Sequence, residues 1–477
     1  MYLIEVAAEM TPIAKVGGLG DVLLGISREW IQRGHQVEVF LPKYAQLRED
    51  LCDHLSPAKQ SFSLFHRNCQ VPIFTWKASF GCIPVRFFSA PSLSFFERKR
   101  IYGYSDDCER FLFFCKMVYE WLALHTKHGF PDLLHLHDWH TAFLAKKCRA
   151  LSRPLKIALT LHNLQHQGIL PSELVPDYFP EEPPCENLLR VGIESADCVT
   201  TVSPTYAREV LFTDRGQGLQ GLLQSKGDRF CGILNGIDSV FWNPQTDPFL
   251  IQNYSAHHPE KLLEKKDASK QEIQKILGLK EEQALPLFVC ITRLDAQKGI
   301  ELIEKALFFF SEREDAQCVL LGESCLDQER DPFPGLKRRW KDHPFVSIQL
   351  GREEELAHKL YAAANFFFVP SQFEPCGLTQ MIALRFGALP IVRHTGGLAD
   401  TICDLGREDA RGEEKNGFVF AASDWEEFRS TLLRALRLWV ERPEEWVGYA
   451  HRGMQRDFSW RSSIKQYEEL FQRELSG

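Results

Sequence analysis

The opening stretch of this chain restricts its fold more than any other part. Tyr2 to Val6 is an apolar run of strand length, and the octet Lys15-Val16-Gly17-Gly18-Leu19-Gly20-Asp21-Val22 follows it. From there Leu19, Val22, Leu23, Ile26 and Trp30 recur at the spacing of one helix face. Gly34 then ends the helix, and Gln36 to Leu41 reads as a second strand. A strand, a helix and a strand joined this tightly are the unit of a parallel sheet wound with helices. Glycines at the strand-to-helix turn expose backbone N–H groups that can converge on an anion, and Lys15 stands beside them. The dinucleotide pattern G-x-G-x-x-G is not met, because Leu23 occupies the third glycine's place, and no Gly-Lys-Ser/Thr completes a P-loop. The residues alone leave two readings open, a phosphate seat and a plain tight turn.

The same rhythm continues. Leu133–His137, Lys156–Leu161, Cys198–Val202 and Cys231–Leu234 read as strands. Asn235-Gly236-Ile237-Asp238, the turn at Trp242-Asn243-Pro244 and a polar stretch to about 270 then interrupt the pattern. It restarts with strands at Leu287–Ile291, Gln317–Leu321, Phe345–Leu350, Asn365–Val369 and Leu389–Val392, separated by helical stretches. Pro332–Gly335 and the charged run 405–415 read as loops. With 477 residues, two cores are the natural division. We expect an α/β protein with one doubly wound domain over 1–240 and a second over 241–455. A terminal amphipathic helix over 456–477, carrying Trp460, Ile464, Tyr467, Leu470 and Phe471, is expected to pack across their junction. Gly396-Gly397-Leu398-Ala399-Asp400 echoes the Gly-Gly-Leu-x-Asp of residues 17–21.

Composition excludes several classes. A net charge of −8 with both signs interspersed argues against nucleic acid and anionic membrane as partners. The longest apolar runs, such as Phe366–Val369, are too short to span a bilayer, and no basic n-region precedes the first strand, so a cytoplasmic protein is expected. Fourteen cysteines are scattered without a C-x-x-C pair, which reads as reduced thiols.

Ligands of open parallel sheets bind beyond the carboxyl ends of the strands. The segment after Leu287–Ile291 runs Thr292-Arg293-Leu294-Asp295-Ala296-Gln297-Lys298-Gly299, and Arg293 and Lys298 can both reach one diphosphate from there. After Asn365–Val369 comes Ser371-Gln372-Phe373-Glu374-Pro375-Cys376-Gly377-Leu378-Thr379. Pro375 and Gly377 suit a sharp turn into a helix whose first N–H groups, at Leu378 and Thr379, form a second anion seat. Glu374 precedes that seat, where a carboxylate needs a cationic or hydroxylated partner unless it merely caps the helix.

These segments together resemble the bacterial glycogen (starch) synthases, retaining glycosyltransferases of the GT-B fold, with two Rossmann-like domains facing each other across a catalytic cleft. The matching pieces are Lys15–Val22, His135–His140, Thr160–Asn163, Thr201–Tyr206, Leu234–Asp238, Arg293–Gly299, Ser371–Gln380 and Thr395–Asp400, in family order over nearly the whole chain. The resemblance implies glucosyl transfer from ADP-glucose or UDP-glucose to the non-reducing 4-hydroxyl of an α-1,4-glucan, with retention. It implies that Lys15, Gly17, Gly18 and Asp21 meet the donor from the N-terminal side, and that Arg293 and Lys298 neutralise its diphosphate. Glu374 resembles the essential carboxylate on the donor glucose, His162 a ligand of that sugar, and Asp138 a group near the acceptor. Asn163, Asn235, Cys376, Gly377, Leu378 and Thr379 complete the implied binding set. The wider GT-B group often carries another glutamate eight positions after the first, where this chain has Ile382. The expected course is therefore front-face transfer through an oxocarbenium-like state rather than a covalent intermediate.

No metal or other cofactor is expected. His135-x-His137-x-x-His140 has spacing that zinc could use, but alternate histidines on a strand more often face a core or a sugar, and the chain has no Asp-x-Asp. Family members often carry an aromatic residue after a glycine about twenty residues before the catalytic glutamate, to stack on the donor base. That position here is Arg352, which either stacks in its place and alters the choice of donor or is a surface side chain. Other readings are a different retaining GT-B glucosyltransferase, or an inactive glucan-binding protein. A homo-oligomer is compatible with the sequence.

Overall fold

The computed structural model describes residues 1–57, 62–125, 129–174, 186–325, 331–409, 411–412 and 414–476. It divides into two compact units, Met1–Gly236 with Trp460–Gly477, and Ile237–Ser459. Each is an α/β body with a largely or wholly parallel sheet.

The strands of the first unit are β1 (Tyr2–Val6), β2 (Gln36–Pro42), β3 (Asp53–Pro57), β4 (Phe62–His66), β5 (Cys69–Phe80), β6 (Ile83–Ser89), β7 (Leu133–His137), β8 (Lys156–Leu161), β9 (Cys198–Thr201) and β10 (Phe230–Gly232). They lie in the order β10-β9-β8-β7-β1-β2-β6-β5-β3, with β4 on β5. From β10 to β6 every pairing is parallel, whereas β5 runs antiparallel to β3, β4 and β6. The antiparallel extension over 53–80 is not evident from strand–helix alternation, since its strands follow one another without crossover helices. The helix Gly18–Gln32 buries Val22, Ile26 and Trp30, the face its spacing predicts.

The terminal helix, Trp460–Ser476, groups with the first unit. Its Trp460, Ile464, Tyr467, Leu470 and Phe471 join Val22, Ile26 and Trp30 in one core. Phe471 stacks on Trp30 at 5.7 Å, and Arg33 and His35 both hydrogen-bond to Glu468. Trp460 fits because position 25 is glycine, where a Cβ would stand 2.0 Å from the indole nitrogen.

The second unit contains β11 (Leu287–Leu294), β12 (Gln317–Ser324), β13 (Val346–Leu350), β14 (Phe366–Val369), β15 (Leu389–Arg393) and β16 (Phe418–Phe420), all parallel, in the order β13-β12-β11-β14-β15-β16. The order reverses between β11 and β14, which is where a doubly wound sheet opens a crevice. Pro332–Gly335, expected as a loop, instead starts the helix Phe333–Arg339, with Pro332 as its N-cap and Pro334 in its first turn, where a missing N–H costs no helical hydrogen bond. Within the run 405–415, residues 410 and 413 lie outside the described residues. The cysteines among the described residues are free thiols, and no described helix is long and apolar enough to cross a membrane.

Candidate active site

In the first unit the sheet order reverses at β1 and β7, so the segments leaving those two strands face the same crevice. The segment after β1 carries Glu9 and Lys15. Glu9 is buried, and its Oε2 accepts the N–H groups of Val16 (2.6 Å) and Gly17 (2.8 Å), while Tyr102 donates to Oε1 at 3.0 Å. Burial pushes the Glu9 carboxyl upward, against the pull of those donors. The Gly17 N–H, expected to face phosphate, is thus committed to a carboxylate. The first-turn N–H groups from Gly18 onward open the helix Gly18–Gln32. Lys15 Nζ lies 2.8 Å from Asp21 Oδ1, which also accepts from Thr11 at 2.9 Å.

β7 ends at His137 and is followed by Asp138, whose φ of +57° and ψ of −176° lie in a region that side chains rarely adopt. That turn aims the carboxylate at the next loop, where Oδ1 accepts the His162 N–H at 2.7 Å. Burial raises the Asp138 carboxyl from 3.8 to about 7, opposed by the His162 and Asn163 N–H groups and reinforced by Glu9. His162 follows β8. Its Nε2 is 3.0 Å from His137 Nδ1, and burial depresses its basicity strongly, with His137 adding to the effect. Asn163 turns its Oδ1 onto the Gln165 N–H at 3.1 Å. Asn235, beyond β10, is buried with no hydrogen-bond partner for its Oδ1 among the described residues.

The three histidines with zinc-like spacing separate in the structure. His140 packs between Tyr102 and Trp139 and against Phe111, and burial lowers it to about 3. His135 and His137 converge instead on Glu5, three ligand-type atoms lying within 4.8 Å of one another. Reasoning from sequence misses Glu5, Glu9 and Tyr102. Only Glu5 leaves a signal, a lone carboxylate in the middle of an apolar strand.

In the second unit Arg293 lies within β11 rather than on the loop after it, because the strand runs on to Leu294. Arg293 is half-exposed, 3.4 Å from Asp295. Asp295 caps the following turn by accepting the Lys298 N–H, which fixes where Lys298 starts. Lys298 Nζ reaches Glu374 Oε2 at 2.6 Å, and Ser371 Oγ donates to the same oxygen at 2.9 Å. Glu374 thus has both the cationic and the hydroxylated partner that its position demanded, and it does not cap the helix.

Backbone packing holds this arrangement. The Gln372 N–H donates to Gln297 O at 2.8 Å, and the Gln297 side chain donates to Phe373 O. Gly299 adopts φ +72° where a Cβ would meet Pro370 O at 2.1 Å. Gly396 and Gly397, the echo of the N-terminal glycines, pack against the backbone that carries Glu374. A Cβ on either would stand 2.0 Å from Glu374 O or 2.1 Å from Cys376 O, and the Gly397 N–H donates to Glu374 O. Gly377 turns the chain at φ +73° into Leu378, Thr379 and the helix Thr379–Arg385, beside buried Cys376. Arg352 lies on the loop after β13, 2.5 Å from Glu323, which is the register partner of Arg293 on β12.

Comparison with known proteins agrees with this geometry. Residues 3–225 match the starch synthase catalytic domain family, and residues 269–452 match glycosyl transferases group 1. The chain is 39% identical to a glycogen synthase of Protochlamydia amoebophila and 37% identical to glycogen synthase 1 of Nitrosococcus oceani, each over 99% of both chains. Among solved structures, the catalytic domain of starch synthase IV from Arabidopsis thaliana, bound to ADP and acarbose, superposes with a TM-score of 0.93 at 38% identity, covering 100% of this chain and 99% of that one.

Proposed function

The chain belongs to the glycogen (starch) synthase family of GT-B glycosyltransferases, and on that premise we propose that it transfers glucose from ADP-glucose or UDP-glucose to the non-reducing 4-hydroxyl of an α-1,4-glucan, with retention. The observation that carries the reading is the pair Lys298–Glu374 at the switch point of the second sheet, with Arg293 at the end of the adjoining strand.

A nucleoside diphosphate leaves readily once its charge is met. Arg293 and Lys298 meet it as cations and the Thr379 backbone as a dipole, each charged hydrogen bond contributing about 1.5–3 kcal/mol. Release of Lys298 toward the diphosphate frees Glu374 to hold the donor glucose and support positive charge as the glycosidic bond breaks. His162 binds a hydroxyl of the same sugar. Asp138 lies on the acceptor side, and the acceptor attacks the face from which the diphosphate departs. Ile382 occupies the place where a second carboxylate would be sought, which favours this course over a glucosyl-enzyme. Since a guanidinium and an ammonium group meet the leaving charge, the reaction is proposed to need no metal, with activity retained in a chelator. The chemistry belongs in the cytoplasm, where nucleotide sugars are made.

The test is incorporation of labelled glucose from each nucleotide donor into glycogen, with Glu374→Ala as control. Wild type should incorporate and the variant should not. Equal, negligible incorporation by both would replace this reading with that of a glucan-binding protein.

A further inference from the structure

Behind the proposed sugar ligand His162 lies a buried polar chain that the proposed reaction does not use. Glu5 of β1 and His135 of β7 are partners in the strand register, and Glu5, His135 and His137 are all fully buried. Glu5 Oε2 lies 2.9 Å from His137 Nε2 and 2.9 Å from His135 Nδ1. On the far side, His135 Nε2 is 2.7 Å from Thr160 Oγ1, which is 2.7 Å from Thr200 Oγ1. His137 Nδ1 faces His162 Nε2 at 3.0 Å.

The direction of these bonds follows from donor and acceptor inventory. A carboxylate only accepts, so His137 turns an N–H at Nε2 toward Glu5. A neutral imidazole has one N–H, which leaves a lone pair at His137 Nδ1. The group facing that lone pair, His162 Nε2, must therefore donate. Its own Nδ1 is then left bare, on a side chain that is only partly buried.

We propose that Glu5, acting through His137, is a positioning residue that fixes His162 as its Nε2–H tautomer, so that Nδ1 accepts a hydrogen bond from a hydroxyl of the donor sugar. This rests on the reading of His162 as a donor-sugar ligand. The charge states agree: burial alone would raise Glu5, but His135 and His137 hold it at about 2, while burial lowers His137 to about 4. Near neutral pH the pair is a carboxylate and a neutral imidazole. A zinc ion is the competing occupant of the three donors. Three donors converge among the described residues, and a zinc ion on them would take water as its fourth ligand. The outward nitrogens of both histidines are engaged, His135 by Thr160 and His137 by His162.

The experiment is a long-range 1H–15N spectrum of the full-length, histidine-labelled protein without substrate, with His162 assigned by its loss in His162→Ala. The expected result is a protonated Nε2 and a bare Nδ1 at His162. In Glu5→Gln that tautomer should lose its dominance. The kcat/KM for nucleotide-glucose should fall at least tenfold, while the Kd for ADP alone stays within twofold. Glu5→Asp should recover part of the loss. A protonated Nδ1 in wild type overturns the proposal, and so does an unchanged tautomer in Glu5→Gln. One equivalent of bound zinc that Glu5→Gln removes would also overturn it. If Glu5→Gln does not fold, the wild-type spectrum still decides. Undiminished transfer by His162→Ala would instead refute the sugar-ligand reading, and the spectrum would still settle the tautomer independently.

Discussion

The two units run through the same order of parallel strands on either side of a switch point, yet the chemistry at the two switch points is nearly opposite. In the second unit, Lys298 pairs with Glu374 and Arg293 lies 3.4 Å from Asp295 at the end of the adjoining strand, and the Glu374 loop is braced by glycine contacts that admit no side chain. In the first unit, buried Glu5 and Glu9 and partly buried Asp138 stand near histidines that burial keeps neutral, and Lys15 is matched by Asp21. Topology therefore dictates where a site opens but not its charge. The cationic end suits a departing diphosphate, and the end rich in acceptors suits sugar hydroxyls.

The sharpest way to break this contrast is to remove one cation from each end. Lys298→Ala should lower kcat by ~10²–10³-fold, as losing a preorganised charge at a leaving group does. Lys15→Ala should cost only about tenfold, since its ammonium is half-exposed and already shared with Asp21. Steady-state kinetics on the two variants checks this. Equal losses would mean that both ends grip the diphosphate alike, and the division of labour would be wrong.

A smaller effect separates backbone bracing from charge. Gly397→Ala leaves every charged group in place but puts a methyl where Cys376 O now lies. Displacing Glu374 by about 1 Å should lower kcat by ~10²-fold or less. It should also lower the melting temperature, because the loop must shift. The Gly18→Ala change at the matching place in the other motif should do less on both counts. A Gly397→Ala enzyme with normal kcat and melting temperature would show that the glycine echo is ornamental.

Asp138 offers a test by pH. Its folded pKa is raised from 3.8 to about 7, so the folded state holds the proton more tightly than the unfolded chain. The stability this gives is fully present below 3.8 and is lost as pH rises through about 7. Asp138→Asn cannot ionise, and its melting temperature relative to wild type should climb between about pH 4 and 7 and level off above. A difference that stays flat over that window would mean that the carboxylate is not held neutral by burial.

Much of this arrangement is legible in the residues. Strand–helix alternation locates both parallel sheets, and the rule that ligands lie at strand ends points to Arg293, Lys298 and Glu374. Other parts are hidden for physical reasons. Glu9 lies far enough from the glycines in sequence that nothing marks it as the acceptor of Gly17, and only a fold-back of the chain brings them together. The repeated Gly-Gly-Leu-x-Asp pattern suggests equal roles, but one copy starts a long helix while the other packs under Glu374. The helix carrying Trp460 and Phe471 shows an apolar face, and a face does not name its partner. The fit of Trp460 over Gly25 assigns it to the first unit.

The weakest expected effect concerns Arg352, whose partner Glu323 is the cross-strand neighbour of Arg293. Its guanidinium is half-exposed and tied to Glu323. An exposed ion pair of this kind contributes about 0–1 kcal/mol, so Arg352 can leave Glu323 for a nucleobase at little cost. Arginine stacks on any base face, whereas a tyrosine ring discriminates by shape and edge contacts. Arg352→Tyr should therefore shift the ratio of kcat/KM for ADP-glucose over UDP-glucose by a few-fold, with the melting temperature unchanged. Parallel measurement with both donors decides it. An unaltered ratio would make Arg352 a surface residue and leave donor choice to the diphosphate end, which does not distinguish one base from the other.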